Sequence, residues 1–387
     1  MNKKLYACLI ILLPSLVLGQ GVNCHTITPS DSVFFYEQRL YAPGDYGSRN
    51  WRIPAICTLG DGTLLAVCDK RKHNEGDLPQ DIDIVCRRST DNGRTWSPPA
   101  TIAQGKGLKQ GYGDPALVVC QNGDVVLTFV GGNGLFASTA DDPISTYFCR
   151  STDGGTTWSA PVDITSTLWG GQAANPACRH YRGSFCASGN GLCLRRGKHK
   201  GRLLFAAAMR RGDAWALDNF VLYSDDNGHT WQVSEKAFEG GDEAKLMELV
   251  DGSVLMSVRQ NGARGYTVST DGGITWSPQG TWPEMTTNAC NGDLLRLSAT
   301  DEGAQQNILL HSIPNSLQRE NVSIFLSYDE GRSWQTPVSL CPGPSVYSSL
   351  TLLQDGTIGC FLEKNTPDGC ELWYQNFTYA WLLQQIK

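Results

Sequence analysis

A phenol and a carboxylate in this sequence could together perform nucleophilic chemistry. Tyr347 becomes a nucleophile if a base such as Glu243 removes its proton. A neutral phenol suits a reacting carbon that already bears a carboxylate, because that group would repel an anionic Asp or Glu nucleophile. Tyr347 also has a plainer interpretation as a core tyrosine, since it begins the apolar strand-like run YSSLTLL.

Three arginines could bind the carboxylate of such a substrate. They are Arg52, Arg259 and Arg319. A guanidinium forms two parallel charge-assisted hydrogen bonds with a carboxylate, which a lysine cannot do. Each arginine alone could equally be structural, but three close together are costly without an anion. Glu363 could neutralise and orient one of them.

Asp77 lies in the polar loop HNEGDL, which follows the second predicted strand. Taken alone, it is compatible with a solvated loop residue. Asp81 and Asp83 compete for any role given to it, and spacing does not separate the three.

One eight-residue phrase, SxDxGx(T/S)W, predicts the elements that must position these groups. Its five copies occupy residues 89–96, 151–158, 224–231, 269–276 and 327–334. In each copy we expect the Asp to bind its own turn, the Gly to take a positive φ and the Trp to pack beneath the hairpin. The loose repeat is typical of a four-stranded propeller blade.

A second pattern, a turn glycine between two apolar strands, raises the number of blades to six. Its clear copies have Gly62, Gly123, Gly201, Gly252 and Gly356 at the turn, and a degenerate sixth precedes Ile308. The sequence therefore predicts an all-β, six-bladed β-propeller. We expect the last strands, near residues 371–383, to close the ring against the N-terminal part.

The candidate residues fall at matching positions around these hairpins. Those at the start of a first strand are Arg52, Asp114, Glu243 and Tyr347, and those at the end of its partner are Arg71, Arg259 and Glu363. In an antiparallel hairpin these two positions lie at the same end. We therefore expect all of them on one face of the central channel.

Composition limits the functions that remain. The chain has 387 residues, a net charge of -6 and no basic run, which argues against nucleic acid as a partner. The six histidines are scattered and no CxxC pair exists, so we expect neither a metal nor a cofactor. Six of the 14 cysteines lie in apolar runs and indicate core thiols: Cys57, Cys68, Cys86, Cys120, Cys149 and Cys360. Cys178, Cys186 and Cys193 lie in a Gly-rich stretch and are better disulfide candidates.

The N-terminal residues resemble a secretory signal. Residues 1–19 combine two lysines with an apolar run that is too short to span a bilayer. We expect residues 20–387 to form a single propeller domain without an integral membrane segment. Extracellular, lysosomal and periplasmic locations all fit.

These motifs together resemble those of the sialidase (neuraminidase) superfamily over about residues 49–383. WRIPAI resembles the family's (F/Y)RIP segment, and the eight-residue phrases resemble its Asp-boxes. GYGDPAL, DEAKLMELVDGSVLMSVRQN and LCPGPSVYSSLTLLQDGTIGCFLEKN resemble the segments that carry an aspartate, a glutamate with an arginine, and the tyrosine. The resemblance is to animal lysosomal-type and bacterial secreted members.

The resemblance implies a role for each candidate. Arg52, Arg259 and Arg319 would bind the carboxylate of sialic acid, with Glu363 holding Arg52. The implied catalytic groups are Asp77 as acid/base, Tyr347 as nucleophile and Glu243 as its base, with Arg71 and Asp114 near the 4-hydroxyl side of the sugar.

The activity implied is that of a glycoside hydrolase, an exo-α-sialidase that acts on sialylated glycoproteins, glycolipids or oligosaccharides. It would act with retention through a covalent sialyl-tyrosine. A trans-sialidase or intramolecular trans-sialidase would share these residues and add an aromatic acceptor platform, for which Trp169 and Trp215 are candidates. A sialic-acid-binding propeller without turnover is a third alternative.

Overall fold

Short apolar strands separated by glycine turns fold into antiparallel sheets arranged as a ring. A computed structural model of the protein describes residues 32–335 and 337–386, with residues 286 and 287 described by their backbone alone. The predicted signal segment, residues 1–19, lies outside the described residues. The sheets form six blades, so the predicted all-β, six-bladed propeller is confirmed.

The strands follow one another blade by blade, after β1 (Phe35–Tyr41), which belongs to the last blade. The first blade contains β2 (Asn50–Thr58), β3 (Leu64–Arg71), β4 (Ile82–Ser89) and β5 (Ala100–Ala103). The second contains β6 (Tyr112–Val119), β7 (Val125–Gly132), β8 (Ile144–Ser151) and β9 (Val162–Asp163). The third contains β10 (Tyr181–Cys186), β12 (Leu192–Cys193), β13 (Leu203–Arg211), β14 (Leu217–Ser224), β15 (Gln232–Val233) and β16 (Phe238–Glu239). The short strand β11 (Gly189–Asn190) lies between β10 and β12 in the sequence but pairs with β6 of the second blade.

The other three blades complete the ring. The fourth contains β17 (Ala244–Glu248), β18 (Val254–Val258), β19 (Asn261–Ser269) and β20 (Gly280–Asn288). The fifth contains β21 (Asp293–Ser298), β22 (Ile308–Pro314), β23 (Glu320–Ser327) and the first part of β24 (Val338–Leu352). The sixth contains the rest of β24, β25 (Ile358–Thr366), β26 (Gly369–Phe377) and β1.

Helices are few and short. The α-helices are α1 (Thr165–Leu168) and α2 (Tyr379–Gln385), and the 3-10 turns lie at Asp45–Gly47, Leu135–Ala137, Pro176–Cys178 and Thr300–Glu302. No helix in the described part of the chain has the length and hydropathy needed to cross a membrane.

The eight-residue phrases form turns of the expected kind. In the first copy, the Asp91 carboxylate accepts hydrogen bonds from the hydroxyl and the amide of Thr95, at 2.6 and 2.9 Å. The fifth residue of each copy has a positive φ. A Cβ at Gly155 or Gly331 would lie 2.7 Å from a leucine methyl of the preceding blade. These two turns therefore also fasten one blade to its neighbour.

The ring closes by pairing the two ends of the described chain. β1 is hydrogen-bonded to β26 in antiparallel register, from Phe35 opposite Phe377 to Tyr41 opposite Leu372. This confirms the expected closure, although the residues after Phe377 form α2 rather than a strand.

The prediction of disulfide candidates in the Gly-rich stretch was wrong. Cys178, Cys186 and Cys193 are all free thiols. Cys178 and Cys186 are buried in the apolar core between the second and third blades, and Cys193 packs against it. Cys178 ends a 3-10 turn, and Cys186 and Cys193 lie on short strands, so these cysteines behave as small apolar side chains.

Candidate active site

A pocket of about 430 Å³ opens at one end of the central channel and gathers most of the predicted residues. Those that line it are Arg52, Asp77, Asp114, Glu243, Arg259, Arg319 and Tyr347. Arg71 and Glu363 are buried directly behind this wall and contact residues that line it. The matching hairpin positions identified in the sequence therefore do converge on one face.

Tyr347 and Glu243 are in direct contact on the pocket floor. The phenol oxygen donates to Glu243 Oε2 at 2.5 Å, and Arg259 Nη1 donates to the same carboxylate oxygen at 2.5 Å and to the phenol at 2.9 Å. Burial and the Glu243 carboxylate raise the pKa of Tyr347 well above its usual range. The phenol is therefore neutral in the free protein and already in contact with a base.

Arg52 is held by a buried carboxylate. Its Nε and Nη2 each donate to Glu363 at 3.0 Å, and the amides of Ile53 and Tyr347 donate to the same group at 2.8 and 3.2 Å. Burial raises the pKa of Glu363, but Arg52 and these amides lower it by more. Glu363 thus stays ionised and fixes Arg52 beside the phenol.

A backbone irregularity makes this grip possible. Ile53 has φ = +62°, although β-branched residues strongly disfavour the left-handed region, and the register of β2 against β3 shifts at this point. The kink directs the Ile53 amide and the Arg52 side chain to the same carboxylate. Backbone strain of this kind is typical of functional sites.

Arg319 completes a set of three guanidinium groups. The guanidinium carbons of Arg52 and Arg319 lie 5.3 and 6.0 Å from the ring centroid of Tyr347, and Arg259 contacts its hydroxyl. Within the described residues, Arg319 makes none of the ion pairs that hold the other two arginines. Its exposed guanidinium is available to an anionic ligand.

Asp77 lies at the pocket mouth with a side chain that is 76% exposed. Arg71 Nη2 binds it at 2.7 Å and also binds the buried Asp69 at 3.0 Å. Partial burial raises the pKa of Asp77, but attraction to Arg71 and Arg52 lowers it by more.

The two competing aspartates of the same loop are engaged elsewhere. Lys72 Nζ lies 2.8 Å from Asp81 and 2.9 Å from Asp83. Neither lines the pocket, whereas Asp77 does. The structure thus distinguishes Asp77 from Asp81 and Asp83, which their spacing in the sequence could not do.

Asp114 faces the same cluster of charges from the second blade. Its backbone is left-handed, with φ = +57°, and its amide donates to Asp69 at 3.2 Å. Burial raises the pKa of Asp114 well above its usual range, and the Asp69, Asp77 and Glu243 carboxylates raise it further. A protonated Asp114 can donate a hydrogen bond to a ligand.

Apart from Asp114, the side of the pocket formed by the second and third blades is apolar. Its residues are Leu135, Phe136, Ile144, Phe185 and Leu217. The charged groups of Arg52, Glu243, Arg259 and Arg319 and the phenol of Tyr347 come from the first, fourth, fifth and sixth blades. The site therefore suits a small anion whose far end carries an apolar group.

Comparison with known proteins agrees with this geometry. Residues 62–360 match the BNR repeat-like domain family. A sialidase of Micromonospora viridifaciens is 33% identical over 381 residues, which cover 94% of this chain and 57% of that protein. The Hadza microbial sialidase Hz136 superposes with a TM-score of 0.78 at 26% identity, over 89% of this chain and 68% of the other.

The chain belongs to the BNR-repeat sialidase superfamily. It spans 57% and 61% of the length of two of the sialidases that it matches, those of Micromonospora viridifaciens and Bacteroides fragilis. The second of these is 28% identical over 83% of this chain. The family resemblance inferred from the sequence is confirmed.

Several residues around this pocket were not predicted from the sequence. Asp69 binds Arg71, and Asp242 binds Arg259 Nε at 3.2 Å. Asp69 could have been found, because residues two apart on a strand share a face. The apolar wall carried no such signal, since its residues come from separate strands and a loop and resemble ordinary core positions.

The two tryptophans proposed for the rim have different environments. Trp169 is buried in the core between the second and third blades. Trp215 is 82% exposed and stacks on Phe136 of the pocket wall, with ring centroids 4.3 Å apart and planes 13° apart. Only Trp215 remains a candidate rim residue.

Proposed function

We propose that this protein is an exo-α-sialidase, a glycoside hydrolase that releases terminal sialic acid from glycoproteins, glycolipids or oligosaccharides. The observation that carries this proposal is the contact between Tyr347 and Glu243 beside three guanidinium groups. That combination suits a substrate whose anomeric carbon bears a carboxylate.

Substrate binding follows from the charges of the pocket. Arg52, Arg259 and Arg319 would bind the carboxylate through charge-assisted hydrogen bonds. The apolar side would receive the acetamido methyl group, and a protonated Asp114 would donate to a sugar hydroxyl. The arginines also hold the substrate carboxylate next to the anomeric carbon, where positive oxocarbenium charge develops in the transition state.

The first half-reaction forms a covalent intermediate. Glu243 takes the proton from Tyr347, and the phenolate oxygen forms a bond to the anomeric carbon. The glycosidic C–O bond breaks, and the leaving oxygen receives the proton of Asp77. Water then attacks the anomeric carbon and gives a proton to Asp77, while the departing Tyr347 recovers its proton from Glu243. Two inversions give net retention.

This role requires Asp77 to be protonated when the substrate is bound. In the empty pocket Arg71 and Arg52 hold its pKa below the usual range. A bound carboxylate offsets the charge of Arg52 and the sugar excludes water, and both effects raise the pKa of Asp77.

We therefore expect kcat to fall as the pH rises, because Asp77 then loses the proton that it must donate. A kcat profile on a sialoside with a poor leaving group, between about pH 4 and about pH 8, measures this. A kcat that stays constant over that range would contradict the assignment of Asp77.

Replacement of the nucleophile tests the proposal most directly. Tyr347→Phe should lower turnover of a fluorogenic sialoside by about 1,000-fold or more, because no oxygen remains to form the bond. Its thermal midpoint should stay near that of the wild type. Tyr223→Phe, whose phenol donates only to Gln232 at 2.8 Å, is the matched control. A wild-type protein that binds sialosides without turnover would support the non-catalytic alternative.

The exposed Trp215 favours a second candidate, a trans-sialidase. Its ring continues the pocket wall through Phe136 and could stack against an acceptor sugar. With lactose present, a trans-sialidase forms sialyllactose, and Trp215→Ala should reduce that product more than hydrolysis. Free sialic acid as the sole product would exclude transfer to lactose.

A further inference from the structure

A buried polar cluster fills the channel beneath the pocket. We name the channel plug the set Ser188, Asn190, Lys245, Asn291, Asp293 and Ser349. Its first two residues, Ser188 and Asn190, lie in the Gly-rich stretch between β10 and β12. All of these residues except Asn190 are nearly inaccessible to solvent.

The lower part of the plug joins distant blades. Asp293 Oδ2 accepts from Asn190 at 2.9 Å, from Ser349 Oγ at 3.1 Å and from the amide of Leu350 at 2.7 Å. Gly189 and Asn190 also pair with β6 of the second blade. The short segment 188–190 is therefore anchored on several sides.

The upper part of the plug leads to Glu243. Asn291 Nδ2 donates to the hydroxyl and to the carbonyl oxygen of Ser188, at 3.1 and 3.3 Å, and Lys245 Nζ donates to the same carbonyl. The Ser188 hydroxyl in turn points at Glu243 Oε1, at 3.5 Å. Ser188 is thus held firmly while its own proton is directed at the base.

The two oxygens of Glu243 therefore have separate partners. Oε2 receives the phenol of Tyr347 and Arg259, and Oε1 faces Ser188. A carboxyl that rotated about its terminal bond would lose the alignment of Oε2 with the phenol. A hydroxyl on Oε1 opposes that rotation whether Glu243 is ionised or carries the phenol proton, since Oε1 remains an acceptor in both forms.

We propose that Ser188 is a positioning residue, which fixes the rotation of Glu243 so that Oε2 stays aligned with Tyr347. This inference rests on the proposed function. The contact of 3.5 Å belongs to the unliganded protein, and such contacts tighten when the substrate closes the site. The channel plug thus connects the inner strands of the ring to the hydrogen bond between Glu243 Oε2 and Tyr347.

The test compares Ser188→Ala with Ser312→Ala. Ser312 is also buried in the ring and accepts one serine hydrogen bond, from Ser348 at 2.8 Å. Among the side-chain hydrogen bonds of the described residues, Ser188 bonds Glu243 and Ser312 does not. On a fluorogenic sialoside, Ser188→Ala should lower kcat by about 10-fold and change KM by less than about twofold. Ser312→Ala should keep kcat within about twofold of wild type. Ser188→Thr should restore most of the lost rate.

Two further variants guard against a folding defect. Ser188→Cys and Ser312→Cys preserve volume and replace the hydroxyl with a weak donor, so they repeat the comparison without creating a cavity. If the variants at Ser188 and the matching variants at Ser312 had equal kcat values and equal thermal midpoints, the inference would be overturned. An inactive wild-type protein would instead refute the proposed function, so the two failures are distinguishable.

The coupling to Glu243 gives an independent readout. If Ser188 acts through Glu243, Ser188→Ala should cost less than about twofold in kcat when Glu243→Gln is already present. A loss of about 10-fold in both backgrounds would show that Ser188 acts on the fold rather than on the base.

Discussion

Arg259 has two tasks that depend on the shape of its guanidinium. Its Nη1 contacts both the Glu243 carboxylate and the Tyr347 phenol, and its Nε faces Asp242. A fixed planar fork can hold these partners and still offer a nitrogen to a bound carboxylate. A lysine ammonium at the same site is a single point charge.

We therefore predict that Arg259→Lys lowers kcat/KM for a sialoside by about 100-fold. The loss should affect kcat as well as KM, because the phenol contact serves the transition state. Arg202→Lys is the matched control, since Arg202 makes a similar two-pronged pair with Asp225, at 2.7 and 2.9 Å, next to the ends of β13 and β14, and neither residue lines the pocket. An unchanged kcat/KM in the Arg259→Lys variant would refute the proposed role of Arg259 in binding the substrate carboxylate.

The sequence predicted the residues that line the pocket better than the residues that hold them in place. The hairpin positions of Tyr347, Glu243 and Arg259 indicated one face, and the structure places them in contact. The choice of Asp77 over Asp81 and Asp83 depended on a loop conformation and on Lys72, which pairs with the other two. The spacing of the aspartates in the sequence does not show which of them pairs with Lys72.

At the scale of elements, each repeated eight-residue turn contains an aspartate whose carboxylate accepts hydrogen bonds from its own turn. Hydrogen bonds from the Thr157 hydroxyl and amide lower the pKa of Asp153 to about 2. For Asp226 and Asp271, slight burial raises the pKa, but the equivalent threonine bonds outweigh it and the result is again about 2. Unfolded aspartates titrate near about 3.9.

These turns should make the fold sensitive to acid. Below about pH 4 the unfolded chain binds more protons than the folded chain, so the stabilisation is full above that pH and is lost as the pH falls towards about 2. Asp226→Asn with Asp271→Asn should lower the free energy of unfolding at pH 6 by about 1 kcal/mol and reduce its dependence on acid.

Urea unfolding between about pH 3 and about pH 6 measures this effect. Asp213→Asn, on an exposed loop, is the control and should keep the wild-type slope. A double variant with the same pH slope as the wild type would show that the turns add no acid dependence.

The sequence predicted the blades because each carries its own local signals. The third blade was the exception, where glycines at 183, 189 and 191 suggested a loop and the chain instead forms three short strands. Two of these pair with β13 and one with β6, and pairing between distant strands has no local signature.

At the scale of the molecule, stability depends on the sixth blade, which combines both ends of the described chain. β1 supplies its outer strand and covers β26. Without β1, the hydrogen-bonding groups of β26 would form an open edge.

Removal of residues 1–41 should therefore lower the thermal midpoint by about 10 °C or more and promote aggregation, even though no pocket residue is deleted. Removal of residues 1–31 leaves β1 intact and is the matched control. Differential scanning calorimetry with light scattering distinguishes the two. A normal midpoint after the longer deletion would show that closure by β1 is dispensable.

The ion pair between Arg52 and Glu363 joins residues 311 positions apart. During translation the first blade emerges long before Glu363 is synthesised, so Arg52 at first lacks the carboxylate that holds it. The proposed active site therefore cannot form gradually as the blades emerge from the ribosome. It must arise in one late step, when the final hairpin docks.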